Sequence, residues 1–193
     1  MNDLSRLVEV LERGGVVACP TETWLGLLAD AHNPDAIERV AMLKGRPKDL
    51  PIALLAPDAA VVESLCSEPP HDAARALMAR YWPGPLTILV PAAPTLSPRL
   101  TRDGKVGIRV PGPSPAAALV RAFGGPLTAT SANISGQPPV ASVEDLPESI
   151  RQGLAGEVPG ESPGGKPSTL LDMTVSPPKI LRAGALSIPS TAL

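Results

Sequence analysis

The chain has 193 residues, and its 17 basic and 19 acidic side chains give a formal net charge of -2. A charge so close to neutral argues against a protein whose whole surface binds nucleic acid. The two cysteines, Cys19 and Cys66, lack any paired spacing, so we expect a reduced, cytoplasmic protein. The N-terminus has no apolar signal-peptide core, and no apolar run approaches the about 18 residues of a membrane span.

Aromatic residues make up only 2% of the chain, whereas proline is frequent, with 25 residues. The core must therefore be built from Val, Leu, Ile and Ala. Stacking on aromatic rings is not the main way in which this protein holds a base or a sugar.

The first predicted elements are a helix, a strand and a second helix. Apolar residues at helical spacing predict a helix from Leu4 to Leu11 that Gly14-Gly15 ends. Residues 15–20 predict a buried strand, followed by a loop at 21–26. Asn33-Pro34-Asp35 is typical of a helix start, with a cap, a proline and an acid in the first turn.

The rest of the chain predicts a mixed α/β domain. Residues 136–168 are rich in Pro, Gly, Ser and Glu, which predicts a loop with at most short helices and a candidate lid. We expect a single domain, residues 1–193, around one twisted sheet of mixed direction. Strands are predicted at 51–56, 86–90, 106–110, 127–131, 169–173 and 179–181, and helices at 58–66, 71–81 and 115–123.

Three cations lie within five residues, at Lys44, Arg46 and Lys48. Pro47 disfavours helix at Arg46, so this cluster sits where the second helix ends. Cations there complement the helix dipole, and a solvated helix end is therefore one interpretation. The other is a clamp for a polyphosphate, which lysine meets as a point charge and arginine as a planar fork.

Small polar side chains follow two of the predicted strands. Residues 128–135 hold five hydroxyl or amide groups, more than a turn requires, and Thr21-Glu22-Thr23 follows the first strand. Because ligands of open α/β sheets bind at the carboxyl ends of strands, we expect a ligand site there. Arg109 stands alone in an apolar strand, so it either faces solvent or faces inward and needs an anion.

Three other functional motifs, a phosphate-binding loop, a metal site and a serine triad, are not supported by the sequence. Residues 160–166 match most of a phosphate-binding GxxxxGK loop, but Pro167 stands where Ser or Thr is required, and no strand and helix flank the segment. The two histidines, His32 and His71, have no ligand spacing, so no metal site and no serine triad is predicted.

Taken in order, six motifs resemble those of the YrdC-like family. Each motif is weak by itself, but their order and spacing hold over about residues 4–186. They are Ala18-Cys-Pro-Thr-Glu-Thr-Trp-Leu-Gly26, Leu43-Lys-Gly-Arg-Pro-Lys48, Trp82-Pro-Gly-Pro-Leu-Thr87, Gly107-Ile-Arg-Val-Pro111, Ser131-Ala-Asn-Ile-Ser-Gly136, and Pro167-Ser-Thr-Leu-Leu-Asp172 with Ile180-Leu-Arg-Ala-Gly184.

This resemblance implies a fold with a deep basic central cavity and a nucleotidyltransferase activity. L-threonine, bicarbonate and ATP would give threonylcarbamoyl-adenylate and pyrophosphate, for the threonylcarbamoyl modification of adenosine 37 in tRNA. A separate transferase complex would perform the later transfer. Such chemistry requires positioning and positive charge rather than a covalent nucleophile.

The resemblance also implies residue roles. Mg²⁺ is expected with the triphosphate, held by phosphate oxygens and water rather than by a protein site. Lys44 and Arg46 are the implied catalytic residues. The implied ATP-binding residues are Lys44, Arg46, Lys48, Ser131, Asn133 and Arg182, and the implied threonine-binding residues are Thr21, Arg109 and Ser168.

The chain departs from the family pattern at three places that we expect near the amino acid. Leu25 replaces a usual Tyr, Ser114 a frequent His, and no histidine lies between Pro51 and Pro57. A divergent ATP-binding paralogue that uses another amino acid is therefore one alternative. An RNA-binding module of the same fold is another. A third is the carbamoyl-adenylate chemistry of hydrogenase maturation, whose proteins are far longer and carry zinc modules.

Overall fold

The computed structural model describes residues 3–189. It contains six helices and ten strands within that range. The helices are α1 Asp3–Glu12, α2 Pro34–Leu43, α3 Ala59–Ser64, α4 Asp72–Tyr81, α5 Pro115–Phe123 and α6 Glu148–Arg151. The strands are β1 Val17–Pro20, β2 Leu25–Leu28, β3 Ala53–Leu55, β4 Leu86–Pro91, β5 Thr101–Arg102, β6 Lys105–Arg109, β7 Leu127–Ser131, β8 Gly156–Glu157, β9 Thr169–Asp172 and β10 Lys179–Arg182.

Helix starts follow the local signals in the sequence. The Asn33 side chain accepts hydrogen bonds from the backbone N–H groups of Asp35 and Ala36, so α2 begins as predicted. Ser114 caps α5 in the same way, by accepting from Ala117 N. Gly124 ends α5 with a φ of 76°, a left-handed conformation that glycine adopts without steric cost.

All ten strands form one mixed sheet, as the sequence predicts. Its order is β10-β9-β4-β6-β3-β7-β2-β1-β8, with β5 attached to β6. Neighbours run antiparallel at β1–β2, β2–β7, β3–β7 and β4–β6, and parallel at β3–β6, β4–β9 and β1–β8. The fold is therefore an α/β fold in which helices cover both faces of a single mixed sheet.

The two faces of the sheet are covered unequally. One face packs against α2, α3 and α4 and forms the larger core, which includes Ile37, Val40, Leu54 and Ile108. On the other face, α1 and α5 cover one end of the sheet, and Leu11 and Leu119 belong to one buried cluster with residues of the neighbouring strands. The remainder of that second face is left for a cavity.

The structure differs from the sequence predictions mainly at short strands. The loop predicted at 21–26 is wrong at its end, because β2 begins at Leu25, whose N–H bonds to Val140 O. All four residues of β2 are buried, so the strand shows no alternation that a sequence pattern detects. The two-residue strands β5 and β8 were also not predicted. Within residues 3–189, no helix is long and apolar enough to cross a membrane.

Candidate functional site

A cavity of about 370 Å³ lies on the sheet face that α1 and α5 leave open. Alternate residues of neighbouring strands line it, as expected for one face of a sheet. Three arginines contribute to the lining, and no carboxylate of the described residues does. The strand residues that line it are Gly26, Leu28, Ala53, Leu55, Thr87, Leu89, Gly107, Arg109, Ala129, Thr130, Ser131, Leu170 and Arg182.

The cavity exists because small residues stand in the middle of the sheet. Gly26, Ala53, Gly107 and Ala129 face it from four strands. A Cβ atom built on Gly107 would lie 3.3 Å from side-chain atoms of both Leu89 and Thr87, so even one added methyl group would crowd the cavity floor. Because the side chains of these residues are small or absent, they leave this part of the sheet face unfilled.

The polar segments that follow β1 and end β7 meet at one edge of the sheet, as the sequence predicts. Both strands pair antiparallel with β2, so β1 and β7 run in the same direction and their carboxyl ends lie beside the start of β2. Thr21, Thr23, Thr130 and Ser131 from these segments line the cavity. Because β3 is antiparallel to β7, with Ala53 opposite Ala129, it brings its amino-terminal end to the same cavity.

Arg109 faces inward, and its anion is a carboxylate that sequence analysis missed. Its Nη1 donates to Glu22 Oε1 at 2.7 Å, and both side chains are almost fully buried. Burial lowers the pKa of Arg109, while Glu22 raises it and Arg182 lowers it further. The other Glu22 oxygen, Oε2, is buried with no partner in the described residues. No other hydrogen bond holds the Arg109 guanidinium within residues 3–189, so its remaining donors are available to a ligand.

Arg182 and Ser168 form a second polar group at the same cavity. The pairing of β10 with β9 has a register shift between Ile180 and Arg182, and Arg182 lines the cavity. Its Nε and Nη2 donate to Ser168 O at 3.1 and 3.0 Å, and Nη2 also donates to Ser168 Oγ at 3.1 Å. Ser168 Oγ lies 2.9 Å from Thr87 Oγ1. Burial lowers the pKa of Arg182.

The loop after β1 closes one wall of the cavity. Thr21 Oγ1 donates to Trp24 O at 2.7 Å and accepts from the N–H groups of Thr23 and Trp24. A segment of the predicted lid packs on this loop: Ser162 Oγ accepts from Thr21 N at 3.1 Å, and Gly164 N donates to Thr23 O at 2.8 Å. The loop is therefore fixed from both sides.

Lys44 is buried, and its ammonium group is bonded to protein oxygens. It caps the C-terminus of α2, is 1% exposed and does not line the cavity. Nζ donates to Ser131 O, to Asn133 O at 2.6 Å and to Asn133 Oδ1 at 3.2 Å, and Lys44 O accepts from Ser135 N. Burial lowers the pKa of Lys44 to about 7, with a contribution from Arg46.

The Asn133 side chain, like that of Lys44, makes all its hydrogen bonds to protein groups. Its Oδ1 also accepts from Ser131 Oγ, and its Nδ2 donates to Ile134 O at 2.9 Å and Gln137 O at 2.6 Å. Of this group, only Ser131 lines the cavity. The Lys44–Ser131–Asn133 cluster therefore fixes the backbone at the end of β7.

The other two predicted cations have different surroundings. Arg46 lines the cavity, donates from Nε to Leu50 O at 2.9 Å and from Nη2 to Pro51 O at 2.7 Å, and burial lowers its pKa. Lys48 is exposed and outside the lining. The structure therefore does not bring Lys44, Arg46 and Lys48 together as one clamp.

Six of the nine predicted site residues line the cavity, and the three that do not are Lys44, Lys48 and Asn133. Sequence analysis assigned no role to Glu22, Thr23, Thr87 or Thr130. Three of these, Glu22, Thr23 and Thr87, stand inside the quoted motifs and Thr130 lies in the polar segment 128–135, so the motif letters were the available signal. Of the three departures from the family pattern, only the missing histidine concerns the lining, which includes residues 51–53 and Leu55. Leu25 is fully buried and Ser114 caps α5.

Among the described residues, no group of three or more His, Cys, Asp or Glu side chains is placed to hold a metal ion. His71 instead accepts from Ala74 N at the start of α4, and its Nε2 lies 2.9 Å from Met173 O.

Comparison with known proteins identifies the family. The family model Sua5_yciO_yrdC, described as telomere recombination, matches residues 9–184. The chain belongs to the Sua5/YciO/YrdC family. This confirms the resemblance that the six motifs indicate.

Curated members of the Sua5/YciO/YrdC family are 33–38% identical to this chain over the aligned residues. Threonylcarbamoyl-AMP synthase of Bacillus subtilis is 38% identical over 95% of this chain, and that of Pyrococcus abyssi 36% over 92%. The chain spans about half the length of these two relatives, 54% and 53%. It spans 100% of the threonylcarbamoyl-AMP synthase of Vibrio campbellii, at 33% identity.

Solved structures of the Sua5/YciO/YrdC family have the same fold. Pyrococcus abyssi Sua5 complexed with L-threonine superposes with a TM-score of 0.89 at 34% identity, covering 95% of this chain and 54% of that one. Escherichia coli YciO superposes with a TM-score of 0.83 at 25% identity, covering 94% of this chain and 89% of that one. HypF in a phosphate- and nucleotide-bound form superposes with a TM-score of 0.77 at 16% identity, which shows a similar fold and nothing more.

Proposed function

We propose that this chain is an L-threonylcarbamoyladenylate synthase, which forms threonylcarbamoyl-AMP and pyrophosphate from L-threonine, bicarbonate and ATP for tRNA modification. The observation that carries the proposal is the cavity, whose wall combines three arginines with hydroxyl groups. The named relatives and the threonine-bound Sua5 structure support it.

The chemistry requires no covalent catalyst. The threonine amine loses a proton and forms an N–C bond to the carbon of bicarbonate, with release of water, to give an N-carboxylate. A carboxylate oxygen then attacks the α-phosphorus of ATP, and the bond to the β-phosphate oxygen breaks to release pyrophosphate. Negative charge on phosphoryl oxygens is what the cavity arginines are suited to stabilise.

We assign threonine to the part of the cavity that Thr21, Arg109 and Ser168 border. A guanidinium binds a carboxylate through two parallel hydrogen bonds, and Arg109 retains donors for that purpose. Arg109 is already held in place by Glu22, so it pays little ordering entropy when a carboxylate binds.

We assign ATP to the neighbouring wall of Arg46, Ser131 and Arg182. Lys44 and Asn133 contribute by fixing the end of β7, and Lys48 contributes charge at the surface. Mg²⁺ would accompany the triphosphate, coordinated by phosphate oxygens and water, since this combination suits its octahedral geometry. Proteins that perform the later transfer, and direct contact with RNA, are further proposals from the resemblance.

The deciding experiment is pyrophosphate release from magnesium-ATP, with threonine and bicarbonate omitted in turn. Release that needs both is the expected result. Release with another amino acid would instead support the divergent paralogue. Absence of both release and ATP binding would contradict the proposal, and RNA binding that weakens steeply with salt would then favour the RNA-binding module.

A further inference from the structure

Two hydroxyl groups, those of Thr87 and Ser168, meet at the wall of the cavity. Thr87 is the second residue of β4 and Ser168 immediately precedes β9, and the parallel pairing of these strands sets Thr87 opposite Leu170. Both residues line the cavity, at 4% and 8% exposure, and their Oγ atoms lie 2.9 Å apart. Family motifs and comparisons assign Thr87 no role.

The Thr87 side chain is held in one orientation by the strands on either side. A β-branched side chain has few available χ1 rotamers. Its methyl group faces β6, since a Cβ on Gly107 would lie 3.3 Å from Thr87 Cγ2. Its hydroxyl faces the opposite way, toward Ser168 beside β9. The glycine on β6 thus leaves room for the methyl group and directs the hydroxyl to Ser168.

The hydrogen bonds at Ser168 restrict what its hydroxyl can offer. A hydroxyl has one donor and two acceptor positions, and a guanidinium only donates. Arg182 Nη2, 3.1 Å away, therefore fills one acceptor position of Ser168 Oγ. The bond with Thr87 then has two directions. If Ser168 donates, its single hydrogen is used and the Thr87 hydrogen has no acceptor within the described residues.

If Thr87 donates instead, its hydrogen is used and the free hydrogen is that of Ser168. Both acceptor positions of Ser168 Oγ are filled, and its own hydrogen is left to point into the cavity. Ser168 is then a pure donor to a ligand, close to Arg182 and in the same cavity as Arg109. A ligand carboxylate beside Ser168 selects this direction, because an ionised carboxylate only accepts hydrogen bonds and the free hydrogen must then be that of Ser168.

We propose that Thr87 is a positioning residue for carboxylate recognition: its hydroxyl donates to Ser168 Oγ and so turns the Ser168 O–H toward the carboxylate of the bound amino acid. This inference rests on the proposed function, which supplies L-threonine as that amino acid. Thr87 acts through Ser168, and its contribution is specific to the amino acid rather than to ATP.

The test compares Thr87→Val, which keeps the shape and removes the hydroxyl, with Thr87→Ser, which keeps the hydroxyl. We expect the valine variant to raise the KM for threonine about tenfold, the usual size of one hydrogen bond to a charged group, and to leave the KM for ATP within about twofold. The serine variant should stay close to wild type for both. An unchanged threonine KM, or equal rises for both substrates, would overturn the proposal. Thr87→Ala provides the same comparison if the valine variant does not fold.

A double-mutant cycle with Ser168→Ala tests whether Thr87 acts through Ser168. In the Ser168→Ala background, Thr87→Val should cause no further rise in the threonine KM, because the hydroxyl that it orients is gone. Additive losses would overturn the relay and indicate an independent or merely structural role for Thr87.

Calorimetric titration with L-threonine alone separates this inference from the proposed function. Wild type that binds threonine about tenfold more tightly than Thr87→Val supports the inference, whatever the turnover. Threonine-independent pyrophosphate release by wild type would contradict the proposed function only. A wild-type chain that does not bind threonine would contradict both.

Discussion

Two polar regions border the cavity, and they use their cations in opposite ways. In the first, the ammonium of Lys44 is bonded to three oxygens of Ser131 and Asn133. In the second, Arg109 and Arg182 each bond one neighbouring residue and line the cavity. In the first region the cation donates all its hydrogen bonds to protein oxygens. In the second region the arginines have donors left over for a ligand.

Charge alone therefore does not define a binding site in this protein. A lysine has three donors, and three protein oxygens saturate them. An arginine has five donors, and a carboxylate such as Glu22 fixes its position while using one of them. The first region should therefore determine stability, and the second region should determine affinity for the ligand.

The largest effect is expected at Arg109. Arg109→Ala should lower kcat/KM for threonine by about a hundredfold or more, because truncating one member of a buried charge pair costs about 2–5 kcal/mol. It should also lower the free energy of unfolding by about 3–5 kcal/mol, since Glu22 is left buried and unpaired. Steady-state kinetics measures the change in kcat/KM, and urea unfolding measures the change in the free energy of unfolding. Arg121→Ala, at an exposed position of α5, is the matched control.

A double variant separates the two effects of Arg109. Glu22→Gln combined with Arg109→Met removes both charges, so much of the stability should return while threonine affinity stays low. Full kinetic recovery in this variant would contradict the assignment of the amino-acid carboxylate to Arg109.

Lys44→Ala should act first on stability. It leaves three acceptor oxygens without their donor, which we expect to lower the free energy of unfolding by about 1–3 kcal/mol. ATP binding should weaken by less than about 1.5 kcal/mol, below the scale of a direct charged hydrogen bond, because Lys44 does not line the cavity and acts on ATP only by supporting Ser131. The exposed Lys48→Ala is the control, expected within about 0.5 kcal/mol of wild type. Lost ATP binding at unchanged stability would instead make Lys44 a direct phosphate ligand.

The pH dependence of stability tests the buried Lys44 further. Its pKa is lowered from 10.5 to about 7 in the folded protein, so between these values the unfolded chain binds more protons. Stability relative to Lys44→Met should therefore rise with pH above about 7, by up to about 1.4 kcal/mol per pH unit. Urea midpoints of both proteins at pH 6.5 and 8.5 measure this. A pH-independent difference would mean that the three oxygens keep the ammonium charged.

Local signals explain why most of the fold could be predicted. The predicted bounds of α5 and β7, 115–123 and 127–131, are those of the structure. A serine cap, a proline and a final glycine mark α5 in the sequence itself. No such signal marks Leu25–Leu28, which is buried on both faces and whose pairing with β7 brings together residues about a hundred positions apart.

The site was harder to predict because side-chain direction depends on distant contacts. Lys44 and Arg46 are two positions apart, yet one is bonded to the end of β7 and the other lines the cavity. The anion required by Arg109 is Glu22, 87 positions away in the chain. Residue types could be read from motifs, but only the sheet register decides which of them meet.

The smallest effect is expected at Ser114, where the chain departs from the family pattern outside both polar regions. Ser114 Oγ accepts from Ala117 N, donates to Gly112 O at 2.9 Å and does not line the cavity. Ser114→Ala should cost about 1 kcal/mol of stability, the usual value of a helix cap, and leave the threonine KM within about twofold. Ser114→His should likewise leave that KM unchanged. If the histidine lowers it severalfold, the amino-acid site extends to the start of α5, and the division between stabilising and binding residues has to be redrawn there.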